Sequence, residues 1–410
     1  MNIGIFTDTY HPQINGVVTS IRMLESQLRS LGHKVYIFTV ADPKAEKKRS
    51  NVFGLPSMPL SFLPSQRVAF LYPPNILLKF KDLKLDVIHT QTEFPLGIFG
   101  KLVSGFYRIP IVHTYHTMYV DYIHYVLNGH LITPKTAERY SRIFCNGANA
   151  VIAPAAKTKE CLINYGVKRP IEFIPSGFDL GRFGPDRYPP EEIARLKNKL
   201  GLPAGAPVIV TVSRLAHEKS IDVVIKEIPK LLKDFPDIRY VIVGDGPLKY
   251  ELRRLAAGLG LSDTVIFTGA IPWDEIGKYY RLGDLFVCAS TSETQGITYA
   301  EAMASRLPVV AKKDDSLRDI LRDGETGILF ERDTDCAAAI KKVLSDAEFA
   351  NGIAERGLAG VQHLSAENFA KKVEAVYLKC IESRPKKTVY LTLADLLKKA
   401  ATHVIDTDRK

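Results

Sequence analysis

Short apolar runs rich in β-branched residues alternate with longer amphipathic stretches along this 410-residue chain, and the alternation starts twice. Residues 2–8, 34–39, 86–90, 110–116, 150–153 and 171–175 make the first series of strands. Residues 207–213, 238–243, 264–268, 284–289, 308–311 and 327–330 make the second, with helical periodicity between most neighbours. A strand that is apolar at nearly every position, rather than at every second one, has to be covered on both faces. That is the condition of a parallel sheet wrapped by its own crossover helices. Two series therefore predict two doubly wound α/β domains. The seam is placed at the turn-prone Pro175-Ser176-Gly177, ahead of the proline-rich residues 178–190. The expected division is residues 1–175, residues 176–364, and a crossover helix with an amphipathic tail over 365–410 that returns to the first domain. Ligands of such sheets bind beyond the carboxyl ends of the strands, so a central cleft faced by both domains is the expected site.

Charge narrows the partner. The formal net charge is +10, a surplus that suits nucleic acid, a phosphate-bearing ligand or an acidic membrane. It is unevenly placed: +9 over residues 1–175, −3 over 176–383 and +4 over 384–410. The five cysteines, Cys145, Cys161, Cys288, Cys336 and Cys380, are scattered and never form C-x-x-C, which argues against a disulfide framework or a zinc site and fits a reducing cytoplasm. The first nine residues lack the basic segment of a signal peptide, and no window approaches the roughly 18 apolar residues of a membrane span. Any membrane contact is expected to be peripheral.

The most specific pattern lies directly after the strand at 284–289. Glu293-Thr294-Gln295-Gly296-Ile297-Thr298-Tyr299-Ala300-Glu301 sets two carboxylates eight positions apart, one in a loop and one in the following helix. The amides near Gly296 and Ile297 sit at that helix's amino end, where aligned peptide dipoles favour a phosphate. Glu301 can accept two hydroxyl protons from a ribose diol, and Glu293 can accept from a second polyol. Upstream, after another strand end, Arg214 and Lys219 offer a guanidinium fork and a point charge to phosphate oxygens. Together these groups specify a diphosphate flanked by hydroxylated rings. Gly244-Asp245-Gly246-Pro247 is a tight strand-to-helix turn that lacks the G-x-G-x-x-G spacing of a dinucleotide fingerprint.

These residues resemble the retaining GT-B glycosyltransferases of family 4, with their E-x7-E motif and preceding Arg and Lys, over nearly the whole chain. The resemblance implies that Glu301 binds the nucleotide ribose, that Glu293, with Thr294, Gln295, Gly296 and Ile297, lines the donor sugar and phosphates, and that Arg214 and Lys219 hold the diphosphate and stabilise the departing nucleotide. Gly244 and Ile271 would flank the base. In the first domain, the loop 8–17 carries Gly16 at the start of a helix, where backbone amides can approach a ligand closely. His116, in His113-Thr114-Tyr115-His116-Thr117, matches the family histidine near the donor sugar's 6-hydroxyl, while His113, three residues back, is expected to face packing. No nucleophile with an adjoining base emerges. Retaining transfer by same-face attack, with the leaving diphosphate helping to accept the proton, accounts for that absence, and charge stabilisation by Arg214, Lys219 and the helix amino end then carries most of the rate effect.

A narrower likeness concerns the acceptor. Residues 4–10, 89–94 and 113–117 and the Thr294-Gln295-Gly296 variant look like the bacterial 1,2-diacylglycerol 3-glucosyltransferases, as do Ser176 and Ser213 where the wider family commonly has Asn and Gly. The likeness implies glucose transfer from UDP-glucose to diacylglycerol, giving α-monoglucosyldiacylglycerol at the cytoplasmic membrane face. It also implies no tightly bound cofactor and no metal requirement for donor binding, with Mg2+ stimulation left open. Residues 56–84 carry Phe62, Leu63 and Phe70 beside Arg67, Lys79, Lys81 and Lys84, the mixture an interfacial segment needs on an anionic membrane. The alternatives are a family 4 enzyme with another hexose donor, a phosphatidylinositol acceptor or a soluble sugar acceptor, a silent nucleotide-sugar sensor, and a basic nucleic-acid-binding protein. The last lacks any helix-turn-helix, zinc-finger or RNP-like signature. Oligomeric state is not legible.

Overall fold

The computed structural model describes the chain except residues 14, 44–48, 61–62, 70–79, 117–132, 185, 291–292, 294 and 384–410; for residues 60 and 63–66 it describes the backbone alone. The chain divides into two compact units, Met1–Gly177 with Glu367–Lys410, and Phe178–Ala366.

The first unit contains β1 (Asn2–Phe6), β2 (Lys34–Val40), β3 (Val52–Leu55), β4 (Ser57–Leu60), β5 (Leu63–Ala69), β6 (Val87–Thr90), β7 (Ile111–Thr114), β8 (Ala150–Ala153) and β9 (Ile171–Phe173). Seven of these form one parallel sheet in the order β3-β2-β1-β6-β7-β8-β9, and β4 and β5 make a separate antiparallel pair. Alternate residues feed two cores, as the pleat demands. Ile3, Ile5, Val35, Ile37, Val87, Val112 and Ile152 point to one, and Phe6, Phe38, Ile88, Ile111 and Val151 to the other. The first core is closed by Ile21, Leu24 and Leu28 of helix Gly16–Ser30 and by Phe369, Val373, Val376 and Tyr377 of helix Ala366–Glu382. The last described helix thus completes the fold of the first unit.

The second unit contains β10 (Val208–Val212), β11 (Arg239–Val243), β12 (Val265–Gly269), β13 (Leu285–Cys288), β14 (Val309–Lys312) and β15 (Ile328–Phe330), parallel in the order β12-β11-β10-β13-β14-β15. Here too the faces alternate: Ile209, Tyr240, Ile242, Leu285 and Val287 lie on one side, and Val208, Val210, Val241, Phe286 and Cys288 on the other. Both sheets are doubly wound and Rossmann-like. The strand order reverses at β1/β6 in one and at β10/β13 in the other, and loops beyond such a reversal diverge to opposite faces, leaving a crevice at the carboxyl ends.

The twelve strands expected from the apolar runs are all present, each within a few residues of its expected ends. Strands β3, β4 and β5 were not among them. They carry Gly54, Pro59 and Pro64, with Pro56 between β3 and β4, and these interrupt the periodicity a strand is recognised by.

Candidate functional site

In the second unit the loops following β10 and β13 meet at the reversal point. The Lys219 ammonium donates to Glu293 Oε1 at 2.7 Å, and Ser290 Oγ donates to the Glu218 carbonyl at 3.1 Å. Arg214 pairs with Glu218, four residues on, and its side chain is mostly exposed. The two residues expected to hold phosphate thus stand beside each other, each already matched with a carboxylate. Glu293 and Lys219 are both largely shielded from solvent, so their pairing fixes the ammonium's position more firmly than a surface pair would.

Gly296 precedes helix Ile297–Ala304 with φ +73°, a left-handed conformation that a side chain makes costly. That turn admits the chain to the helix after the eight residues that follow β13, with the helix's amino end on the carboxyl-end side of the sheet. Gln295 is buried at the turn, Ile297 opens the helix, and Thr294 lies outside the described residues. One helical turn further on, Glu301 is buried, with Oε2 accepting from the Tyr280 hydroxyl at 2.8 Å. Burial pushes its carboxyl up to about 7, against the opposing effects of the Tyr280 hydrogen bond and the positive charge of Arg182. A carboxyl held near neutrality is poised between a protonated form, which can donate, and an ionised form, which only accepts.

The loop after β11 lies against the same place. Leu215 N–H donates to the Asp245 carbonyl and Leu248 N–H to the Leu215 carbonyl, each at 3.0 Å, while Gly244 N–H reaches the Gly269 carbonyl at 3.0 Å. Gly244 is therefore beside the Arg214 loop, and β12 ends close to it. Ile271, two residues beyond β12, is half-buried against the second core.

In the first unit the ends of β1, β6 and β7 carry a buried polar network. His116 Nε2 donates to Gln91 Oε1 at 2.7 Å, and burial, reinforced by the neighbouring His113, pushes His116 down to about 3. His116 is therefore neutral, and with Nε2 carrying the proton its Nδ1 is an acceptor. His113 is fully buried, as expected, and it is more than packing: its Nε2 lies 3.0 Å from Glu93 Oε1. His89 sits 2.6 Å from the Tyr377 hydroxyl and 2.7 Å from Thr114 Oγ1. Asp8 accepts from Thr92 Oγ1 at 2.6 Å and from Leu96 N–H at 3.1 Å, so it caps helix Pro95–Tyr107, whose own N-cap Phe94 supplies no side-chain bond. Gly16 begins its helix exposed, and the preceding Asn15 accepts from Val18 N–H at 2.9 Å.

Tyr280, Glu218, Gln91 and Glu93 were absent from the expected set. Glu218 was detectable from its i,i+4 spacing to Arg214. Tyr280 and Gln91 meet their partners 21 and 25 residues away, with no local pattern to announce it. Of the residues expected to touch a membrane, Phe62, Phe70 and Lys79 lie outside the described residues, as does the side chain of Leu63. Lys81 and Lys84 are exposed. Arg67 is tied down, donating to the Ala41 carbonyl at 3.0 Å and to Ser57 Oγ and O at 2.9 Å.

Comparison with known proteins fits this geometry. Residues 14–182 match the family model described as Glycosyltransferase Family 4, and residues 192–359 that described as Glycosyl transferases group 1. An alpha-monoglucosyldiacylglycerol synthase of Streptococcus pneumoniae is 38% identical over 385 residues, 93% of this chain and 87% of the relative. One from Acholeplasma laidlawii is 34% identical over 397 residues, 94% and 99% respectively. A crystal structure of Anabaena Alr3699/HepE in complex with UDP-glucose shares the fold, with a TM-score of 0.75 at 21% identity over 92% of this chain and 99% of that one.

Proposed function

The chain belongs to the family 4 glycosyltransferases, and on that premise we propose that it moves glucose from UDP-glucose to the 3-hydroxyl of 1,2-diacylglycerol with retention, giving α-monoglucosyldiacylglycerol. The observation that carries the donor side is the junction of Arg214, Lys219 and Glu293 with the amino end of helix Ile297–Ala304 at the β10/β13 reversal. The acceptor rests on the two relatives named for this product, each matched over most of its length.

In this reading Glu301 accepts from both ribose hydroxyls. The diphosphate draws Arg214 away from Glu218 and takes Lys219 as a second counter-charge. The bond from the anomeric carbon to the β-phosphate oxygen then breaks while the acceptor oxygen bonds to the same face, and the acceptor's proton passes to the departing phosphate. The charge that builds on the diphosphate is met by Arg214, Lys219 and the helix amides, which in the donor complex are in place before the bond breaks. Neutral His116 accepts from the sugar's 6-hydroxyl through Nδ1, and Glu293 contacts the sugar while positioning Lys219. Gly16 brings backbone amides to the donor, and Gly244 and Ile271 flank the base.

The enzyme works at the cytoplasmic face of the membrane, on anionic lipid. The unit Met1–Gly177 with Glu367–Lys410 carries +13 and the unit Phe178–Ala366 carries −3, so the cationic surplus is on the acceptor side and not with the phosphates. Purified protein incubated with UDP-glucose and diacylglycerol in mixed micelles is expected to form the α-glucolipid, identified by mass spectrometry and anomeric NMR. Failure to do so while another acceptor or sugar nucleotide reacts would overturn the assignment.

A further inference from the structure

Helix Pro95–Tyr107 packs Leu96, Phe99 and Val103 into the core of the first unit, yet its opposite side is also apolar. Phe94, just before the helix, is 49% exposed, Ile98 44%, Leu102 53% and Phe106 47%. At intervals of four they form one stripe about 18 Å long. The exposed residues of the helix are Ile98, Leu102, Gly105 and Phe106. Its one cation, Lys101, is turned inward, donating to the Phe144 carbonyl with its ammonium 3.5 Å above the Phe144 ring. A surface helix ordinarily turns polar residues outward, and one that is apolar all round is covered by something.

Helix Pro134–Asn146 extends the patch. Its Tyr140 and Ile143 are 40% and 59% exposed, and it lies directly beside the first helix through the Lys101–Phe144 contact and the Tyr140 hydroxyl's bond to the Glu93 carbonyl. It also displays exposed Lys135, Arg139 and Arg142 against a single acid, Glu138. Apolar side chains rimmed by cations match an anionic bilayer, where the former enter the acyl boundary and the latter meet headgroups. The stripe starts one residue after Glu93, which pairs with His113 at the carboxyl end of the sheet. A bilayer resting on it would therefore meet the protein where a lipid hydroxyl has to be delivered.

We infer that Phe94, Ile98, Leu102, Phe106, Tyr140 and Ile143, with Lys135, Arg139 and Arg142, form the surface that docks the enzyme on anionic membrane. This rests on the lipid-acceptor reading above, and it places the contact on helices outside residues 56–84. The test compares the wild-type chain with Ile98→Ser/Leu102→Ser and Arg139→Glu/Arg142→Glu in flotation with phosphatidylglycerol and phosphatidylcholine vesicles. The apolar pair is expected to need at least tenfold more lipid for half binding. The charge pair is expected to lose the preference for phosphatidylglycerol and its salt dependence. UDP affinity by calorimetry and glucosyl transfer in detergent micelles stay at wild-type level in both variants, which separates lost docking from lost folding. A tryptophan in Leu102→Trp should be quenched by brominated lipid. Flotation of Ile98→Ser/Leu102→Ser like wild type overturns the inference, as does a wild-type dimer that this variant dissociates while its vesicle binding is unchanged. Should wild type float through this face and still make no glucolipid, the acceptor assignment fails and the docking surface stands.

Discussion

Glu301 is a buried carboxylate reached by one phenol, and its proton affinity is its most informative property. With its pKa raised to about 7, binding that requires the ionised form has to expel a proton below that pH. UDP-glucose affinity in the absence of acceptor should therefore be flat above pH 7.5 and weaken toward tenfold per unit below 6.5. Calorimetry in buffers of different ionisation enthalpy should show proton release near pH 6.5. Glu301→Gln should raise the Kd about 10- to 100-fold, the range of a charge-assisted hydrogen bond, and abolish the proton release; affinity independent of both changes would remove the ribose role. Gln91 makes a second prediction. By accepting from His116 Nε2 it leaves Nδ1 as the acceptor. Gln91→Leu should lower kcat with little change in UDP affinity. Gln91→Glu should raise the pKa of His116 from about 3 by pairing with its protonated form, which cannot accept from a hydroxyl. The variant's kcat at saturating UDP-glucose, where Glu301 is already held ionised, should then fall as pH drops through the new pKa, whereas wild-type kcat shows no such limb between pH 5 and 8. A Glu variant with the wild-type profile would count against the assignment.

At the level of elements, helix Pro95–Tyr107 is held at its start by contacts its own sequence does not announce. A Cβ added at Gly97 would sit 1.9 Å from the Thr92 carbonyl oxygen, which is backbone and cannot step aside. Gly97→Ala should cost about 1–3 kcal/mol or more through displacement of the helix, seen as a lower midpoint for the first unit in thermal unfolding. An unchanged midpoint would show that the turn accommodates the methyl freely. The same element shows how far periodicity carries. Its apolar repeat marks a helix, yet Leu96, Phe99 and Val103 face inward while Ile98, Leu102 and Phe106 face out, and all six look alike in a linear pattern. Strands β3, β4 and β5 escaped recognition for the converse reason, since prolines and a glycine broke a repeat that pairing restored.

Across the whole molecule, the chain's last described helix belongs to its first unit. Val373 is fully buried there with Phe369, Ala370 and Tyr377. Val373→Ala is expected to destabilise the first unit by about 1–3 kcal/mol and to leave the second unit's transition in place. UDP should raise the second unit's midpoint by mass action, worth about 2.7 kcal/mol at a hundred times its Kd. Calorimetric scans with and without nucleotide check both; a single transition shifted equally by the mutation and by UDP would show that the units unfold as one.

What the chain determines by itself is the class of fold and the residues of the loops proposed to face the nucleotide. Those signals are local: uninterrupted apolar runs mark strands covered on both sides, and the spacing of Glu293 and Glu301 is kept within a single loop and helix. The partners are another matter. Lys219 with Glu293, Tyr280 with Glu301, His116 with Gln91 and His89 with Tyr377 are brought together over 21 to 288 residues. So is the choice of which apolar side of a helix is left facing out. Parallel strands delivered to one edge by long crossovers create these contacts, and their geometry is a property of the packed sheet, which no stretch of sequence contains.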